Sequence, residues 1–195
     1  MSDRVTLPAL QAMKREGRKI AAVVCWDPAT AEVADAAGVE LVSVGDSVVT
    51  GFDELLVFCA AVRRGVRRAL LCCDLPQASV DSARTLVERG ADLVKVEGVD
   101  NVRAIASAGV PVFAQIAAAD QAKPMEDAGA SLIDFRHSGR EAGAAAVAAV
   151  AIPVLGGLGG GPWLDGRVRA VHRLLGDAVA AYVDDVRAAR SVRGD

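Results

Sequence analysis

Short apolar runs of strand length alternate along this chain with Ala-rich stretches whose apolar positions recur at helical spacing. The runs lie at 20 to 25 (IAAVVC), 40 to 45 (ELVSVG), 69 to 73 (ALLCC) and 93 to 97 (LVKVE). The second half adds 111 to 116 (PVFAQI), 131 to 136 (SLIDFR), 152 to 156 (IPVLG) and 168 to 172 (VRAVH). Helices are predicted between them, among others over Pro28–Ala37, Glu54–Arg64, Ser79–Arg89 and Asn101–Ala108. Glycines at 38, 65, 90, 109 and 129 close helical stretches just before the next run, as C-caps of helices that return tightly to a sheet. Alternation of this kind means a parallel sheet, and eight repeats favour a closed (β/α)₈ barrel, a TIM barrel, over a doubly wound sheet. The open sheet stays as the alternative, although no Gly-rich fingerprint for a dinucleotide follows the first run.

Two amphipathic segments frame the repeats. Thr6 to Gly17 reads as an extra helix, with Thr6 as N-cap and Pro8 in its first turn, placed to cover the barrel's bottom. Asp177 to Arg190 reads as the last helix. The expected organisation is a single barrel domain over 1–195 with trimmed loops, since about 200 residues is the short end for such barrels.

Candidate chemistry sits where runs give way to turns. Asp46 (VSVGDS), Asp74 (LLCCDLP) and Glu97 (LVKVEG) each end an apolar run, and barrel enzymes place their chemistry at the C-terminal ends of the strands. Side chains alternate along a strand, so Lys95 and Glu97 share the inward face while Val94 and Val96 face the helices, and Asp74 points inward with Cys72. Acids on adjacent strands, about 4.8 Å apart, would flank one divalent cation, Mg²⁺ or Mn²⁺. A blander account of each acid is the N-cap of the following helix, and Lys95 with Glu97 can be a plain ion pair. GGLGGGP at 156 to 162 follows the seventh run, where barrels often cradle phosphate through backbone amides, but glycine also permits a tight turn with no ligand.

Composition narrows the class. With 52% hydrophobic and 24% charged residues, a net charge of −3 and no long basic run, nothing points to nucleic acid. The start lacks the apolar core of a signal peptide and no run approaches membrane-spanning length, so a cytoplasmic protein is expected, without a membrane partner. Cys25, Cys59, Cys72 and Cys73 show no CxxC spacing and read as reduced core residues.

The segments VGDS, CCDLP, VKVEG, AGVPVFAQ and IPVLGGLGGGPWLDG, in this order, resemble ketopantoate hydroxymethyltransferase, a family of the phosphoenolpyruvate and pyruvate barrel superfamily. The likeness runs from about Leu7 to the C-terminus and includes VRRG at 62 to 65 and AYVDDVRA near the end. It implies a Mg²⁺-dependent enzyme that deprotonates a branched 2-oxo acid and adds a one-carbon unit from methylenetetrahydrofolate. It also implies that Asp46 and Asp74 hold the metal with Glu97 beside it, that Ser47 and Lys95 contact the 2-oxo acid, and that Asp27 lies near the site.

Departures from the family pattern alter the expected reaction. Arg136 stands where the family has its catalytic glutamate, and Gln115 where it has a histidine. A Thr-Leu-Pro segment after the second strand and a Gly-Tyr-Lys lid after the fifth are missing. Arginine does not lose its proton at ordinary pH, so Arg136 is no base but a candidate clamp for a second carboxylate or a phosphate. Asp134 shares its inward face, as a salt-bridge partner or a substitute base, whereas His137 has the opposite parity unless the strand stops before it. The expected function is carbon–carbon bond formation or cleavage at a 2-oxo acid enolate, with a substrate changed from 3-methyl-2-oxobutanoate. Alternatives are a Schiff-base aldolase or lyase using Lys95, or a catalytically dead barrel serving as a binding or assembly partner. Shortened loops leave the site open, so a homo-oligomer is expected to help exclude solvent.

Overall fold

The computed structural model describes residues 4–45, 51–157 and 159–188. Eight parallel strands close into one barrel in sequential order, the (β/α)₈ architecture. They are β1 (Ile20–Val24), β2 (Leu41–Val44), β3 (Leu70–Asp74), β4 (Leu93–Glu97), β5 (Val112–Ile116), β6 (Leu132–Phe135), β7 (Val154–Gly156) and β8 (Gly166–Ala170). The outer layer is built from α2 (Pro28–Ala36), α3 (Phe52–Gly65), α4 (Val80–Glu88), α5 (Val99–Ser107), α6 (Ala122–Asp127) and α7 (Arg140–Ala149). The chain opens with α1 (Leu7–Arg15) and the described part ends on α8 (Val171–Arg187).

Alternation divides the apolar residues into two cores. Ile20, Leu41, Leu70, Cys72, Leu93, Phe113, Leu132 and Leu155 fill the barrel interior. Val42, Leu71, Cys73, Val94, Val96 and Ile133 face outward under the helices. Leu10 and Met13 of α1 join the interior set, so this helix plugs the N-terminal end of the barrel as expected. The four cysteines are free and buried. For Cys25, burial and the nearby Asp27 push the thiol up to about 12, so it packs as a small apolar residue.

Carboxylates at that N-terminal end serve the backbone. Asp35 accepts from the amides of Arg67, Arg68 and Ala69 ahead of β3, and Asp92 accepts from Leu71 N within it. Asp165 accepts from Val154 N and pairs with Lys14 of α1 at 3.0 Å. Such acids tie strand starts together, which separates them in role from acids at the opposite rim.

Three details differ from the sequence reading. Gly65 is the last residue of α3, not a left-handed cap; a Cβ there would lie 2.1 Å from the Pro28 carbonyl oxygen, so it is small to let α2 and α3 touch. The eighth strand is Gly166–Ala170 rather than 168 to 172, because Gly166 packs on β1, where a Cβ would meet the Ile20 oxygen at 2.4 Å. His172 consequently belongs to α8, which begins at Val171, not at Asp177. Among the described residues, no helix is long and apolar enough to cross a membrane.

Candidate active site at the C-terminal rim

Lys95 organises the site. It lies on the inward face of β4, above Leu93, and only 6% of its side chain is exposed. Its ammonium stands 2.8 Å from Asp74 Oδ2, one strand away on β3, and 3.5 Å from Asp134 Oδ2 on β6. Asp74 and Lys95 are direct partners in the β3–β4 register, so strand pairing alone brings them together. Burial by itself would lower the lysine pKa, but the charges of Asp74 and Asp134 outweigh it and hold the group above its ordinary value. That direction lends no support to the nucleophilic-amine alternative, which needs a depressed value.

The remaining acids and amides surround this ion triad. Ser43 Oγ on β2 donates to Asp74 Oδ1 at 3.3 Å. Asp74 lies so close over the end of β2 that a Cβ on Gly45 would fall 2.3 Å from its Cγ; the glycine is required for the carboxylate to sit there. Glu97, two residues beyond Lys95, reaches the rim and accepts a short hydrogen bond from Gln115 Nε2, its register partner on β5. On β6, Asp134 is 5% exposed and faces Arg136 Nε at 3.7 Å, while Arg136 itself is 46% exposed just past the strand.

Two cavities meet over Lys95. The larger, about 810 Å³, is lined by Asp74, Lys95, Glu97, Gln115 and Arg136 with Phe52 and Leu55 of α3. The smaller, about 270 Å³, shares Asp74, Lys95 and Arg136 and continues past Asp134 to His137, His172 and Arg173. His137 reaches it because β6 stops at Phe135 and the chain turns through a left-handed residue, His137 at φ 53°. Gly157 of the glycine-rich segment borders the smaller cavity, whereas Trp163 packs against α7, where a Cβ on Gly143 would meet its ring at 2.6 Å.

Of the residues singled out in the sequence, Asp74, Lys95, Glu97, Gln115, Asp134 and Arg136 come together at this rim. Asp27 is occupied elsewhere, because its carboxylate caps α2, accepting from Thr30 N at 2.8 Å and Thr30 Oγ1 at 2.6 Å. Hydrogen bonds from Thr30 hold its pKa below the usual value. Asp46 and Ser47 lie outside the described residues. Among the described residues, no three His, Cys, Asp or Glu side chains gather as a metal-holding group, and the expected trio lacks Asp46 there. The donors that do meet, Asp74 and Glu97, are hard carboxylate oxygens of the kind that suits Mg²⁺ or Mn²⁺. The sequence reading missed Trp26, whose indole donates to Gly45 O at 2.8 Å and stacks on His172 with ring centroids 5.6 Å apart. It also missed Arg173, whose only signal is a position at the start of a helix after the last strand.

Comparison with known proteins places this rim in context. The sequence profile described as Ketopantoate hydroxymethyltransferase matches residues 4–123, a span that ends before β6. A 3-methyl-2-oxobutanoate hydroxymethyltransferase of Cyanothece sp. is 34% identical over 221 positions, covering 88% of this chain and 84% of its own. One from Moorella thermoacetica is 36% identical over 228 positions, covering 89% of this chain and 82% of its own. Both alignments are longer than the chain itself, so these relatives carry segments that it lacks. Among solved structures, 2,3-dimethylmalate lyase, a PEP mutase/isocitrate lyase superfamily member, matches with a TM-score of 0.69 at 14% identity, over 94% of this chain and 86% of its own. Phosphonopyruvate hydrolase in complex with oxalate and Mg²⁺ matches with a TM-score of 0.68 at 15% identity, over 98% and 90%. At such identities the structural likeness is one of fold.

Proposed function

We propose a reaction from one premise: the chain belongs to the ketopantoate hydroxymethyltransferase family, a family of enzymes. The reaction is formation or cleavage of a carbon–carbon bond at the enolate of a 2-oxo acid, assisted by a divalent cation, Mg²⁺ or Mn²⁺. The observation that carries it is the Lys95 ammonium, held between Asp74 and Asp134 at the floor of a cavity that Glu97 overlooks. Asp74 and Glu97, with Asp46 as the third acid, are the residues to hold the cation, and Gln115 fixes the Glu97 carboxylate. A bound cation would supply Lewis-acid polarisation of the 2-oxo group.

Each protein group then has a definable part. The Lys95 ammonium, itself only 6% exposed, donates to the oxygen on which negative charge grows as the enolate forms. Asp134 is the proton acceptor at C3: it is buried on the inner face, and its contacts with Lys95 and Arg136, at 3.5 and 3.7 Å, are ionic. Arg136, always charged, orients substrate. Ser47 completes the contacts to the 2-oxo acid by the resemblance, and methylenetetrahydrofolate as one-carbon donor rests on that resemblance alone. The substrate is changed from 3-methyl-2-oxobutanoate, because an arginine replaces an acid beside the reacting carbon.

The test is deuterium exchange at C3 of 2-oxo acids in D₂O, followed by proton NMR with and without Mg²⁺, beside Mn²⁺ binding read by electron paramagnetic resonance. Cation-dependent exchange is expected, lost in Asp134→Asn while the 2-oxo acid still binds. Mn²⁺ binding should be lost in Asp74→Asn. No Mn²⁺ binding by the native chain, or exchange indifferent to chelation, rules the reading out.

A homo-oligomer is part of the same proposal. None of the described residues of α8 is buried, and Leu174, Leu175, Val179, Tyr182 and Val186 expose a continuous apolar stripe. A second copy of this chain is the occupant we assign to it.

A further inference from the structure

We propose that the smaller cavity is an anion subsite, taking a second carboxylate or a phosphoryl group carried by the same 2-oxo acid. This rests on the reading above for the position of the reacting carbon, and it adds the chemical class of the substrate. The two cavities share Asp74, Lys95 and Arg136, so a 2-oxo acid whose head lies against Lys95 must direct its C3 substituent either over Glu97 or toward β6 and α8.

The second direction is lined with donors. Asp74 and Asp134 border the smaller cavity, but both already face the Lys95 ammonium. Beyond them come the Arg136 guanidinium, His137, His172 and Arg173. Arg136 makes only the 3.7 Å contact through Nε, and no hydrogen bond or ion pair to its terminal nitrogens, or to Arg173, occurs among the described residues. A planar guanidinium with its terminal nitrogens free is built to grip carboxylate or phosphoryl oxygens in pairs. Arg169 also borders the cavity through β8, but it pairs in register with outward-facing Val23, so its side chain is left out of the set.

Size and anchoring agree. At about 270 Å³ the annex has room for one small charged group and water. An aliphatic branch placed there would strip water from two arginines and return nothing. The wall carrying Arg173 is held in place by the His172–Trp26 stack, and Trp26 is in turn hydrogen-bonded to the end of the β2 segment at Gly45. The annex is therefore braced against the strand that precedes Asp46.

Titration calorimetry with matched probes tests this. 2-Oxoglutarate and 2-oxovalerate have the same chain length and differ in the terminal carboxylate; oxaloacetate and 2-oxobutanoate are the shorter pair, and phosphonopyruvate carries the phosphoryl type. With Mg²⁺ present, at least one doubly anionic probe should bind 10-fold or more tightly than its singly anionic partner. Which one does so tells carboxylate from phosphoryl. Arg173→Gln, a surface substitution, should weaken that probe at least 5-fold and leave the singly anionic one unchanged; Arg136→Gln/Arg173→Gln should erase the preference. Inorganic phosphate, titrated in chelator without any 2-oxo acid, should bind the native chain and not the double variant. Equal binding of all pairs with no arginine-dependent phosphate binding overturns the subsite, as does a preference untouched by the double variant. Arginine-dependent phosphate binding with no 2-oxo acid binding supports the anion site and instead overturns the proposed reaction.

Discussion

Replacing Lys95 by methionine tests whether the ion triad at the barrel mouth is a single electrostatic unit. Methionine keeps the stem's volume and apolar contacts above Leu93 and removes only the charge. The substitution strands two carboxylates: among the described residues, Asp134, 5% exposed, keeps only the 3.7 Å contact with Arg136, and Asp74 keeps only the Ser43 hydroxyl. Removing one partner of a buried pair typically costs about 3–5 kcal/mol. Asp74 retains some access to water, with 18% of its side chain exposed, so the lower end, about 3 kcal/mol, is expected. For a chain of this size that lowers the thermal midpoint by roughly 6–12 °C. Urea unfolding followed by the fluorescence of Trp26 and Trp163 gives the same quantity at constant temperature. The cycle with Asp134→Asn is decisive, because removing the stranded acid from the Lys95→Met background should recover about 1 kcal/mol or more of coupling. A loss under about 1 kcal/mol for Lys95→Met, or strict additivity in the cycle, means that the triad is not a unit and that Lys95 is not pinned as described.

That Asp74, Lys95 and Asp134 face inward was readable in the sequence because parity is robust, whereas the pairing of Lys95 with those two acids rather than with Glu97 was not. Once 93 to 97 is a strand, Leu93, Lys95 and Glu97 must share a face, and the interior core confirms it through Leu93. The register of the closed barrel puts Asp74 beside Lys95 and Glu97 beside Gln115. What escaped depended on contacts between distant segments. Gly65 looks like any helix-ending glycine until Pro28 is found against it. His172 joins a helix rather than a strand because Gly166 opens β8 two residues early. Asp27 carries the acid expected near the site, yet Thr30, three residues on, turns it into a helix cap, a competition that strand-end patterning does not see. Arg173 and Trp26 become site neighbours only when the barrel closes β8 onto β1.

Three further outcomes follow from the same contacts. Asp35→Ala leaves the amides of Arg67, Arg68 and Ala69 without their acceptor and should cost about 2–3 kcal/mol at neutral pH. Burial works against the Asp35 charge, but those amides and Arg68 prevail and hold its pKa below 3.8, so its contribution is complete above about pH 4 and disappears as pH falls through the folded value. The stability gap to the variant, measured by urea titration, should therefore close on acidification; a gap that widens would reverse the assignment. Gly143→Ala gains about 1 kcal/mol of helix propensity but drives a methyl to within 2.6 Å of the rigid Trp163 ring, so overpacking of about 1–3 kcal/mol should leave a lower thermal midpoint. The last concerns α8, whose exposed Leu174, Leu175, Val179, Tyr182 and Val186 fall within one stripe of the helix. A helix formed in water with that stripe bare gains nothing from burial, and tertiary packing is what usually sustains helices of ordinary composition. Val179→Glu/Val186→Glu places two charges in the stripe's second half while leaving Arg173, His172 and the barrel untouched. Light scattering should give the native chain as a multiple of 20.1 kDa and the variant as a single chain. A native chain that already runs as one copy, with α8 fully protected in hydrogen exchange, would mean that the stripe is covered from within and that no second copy is needed.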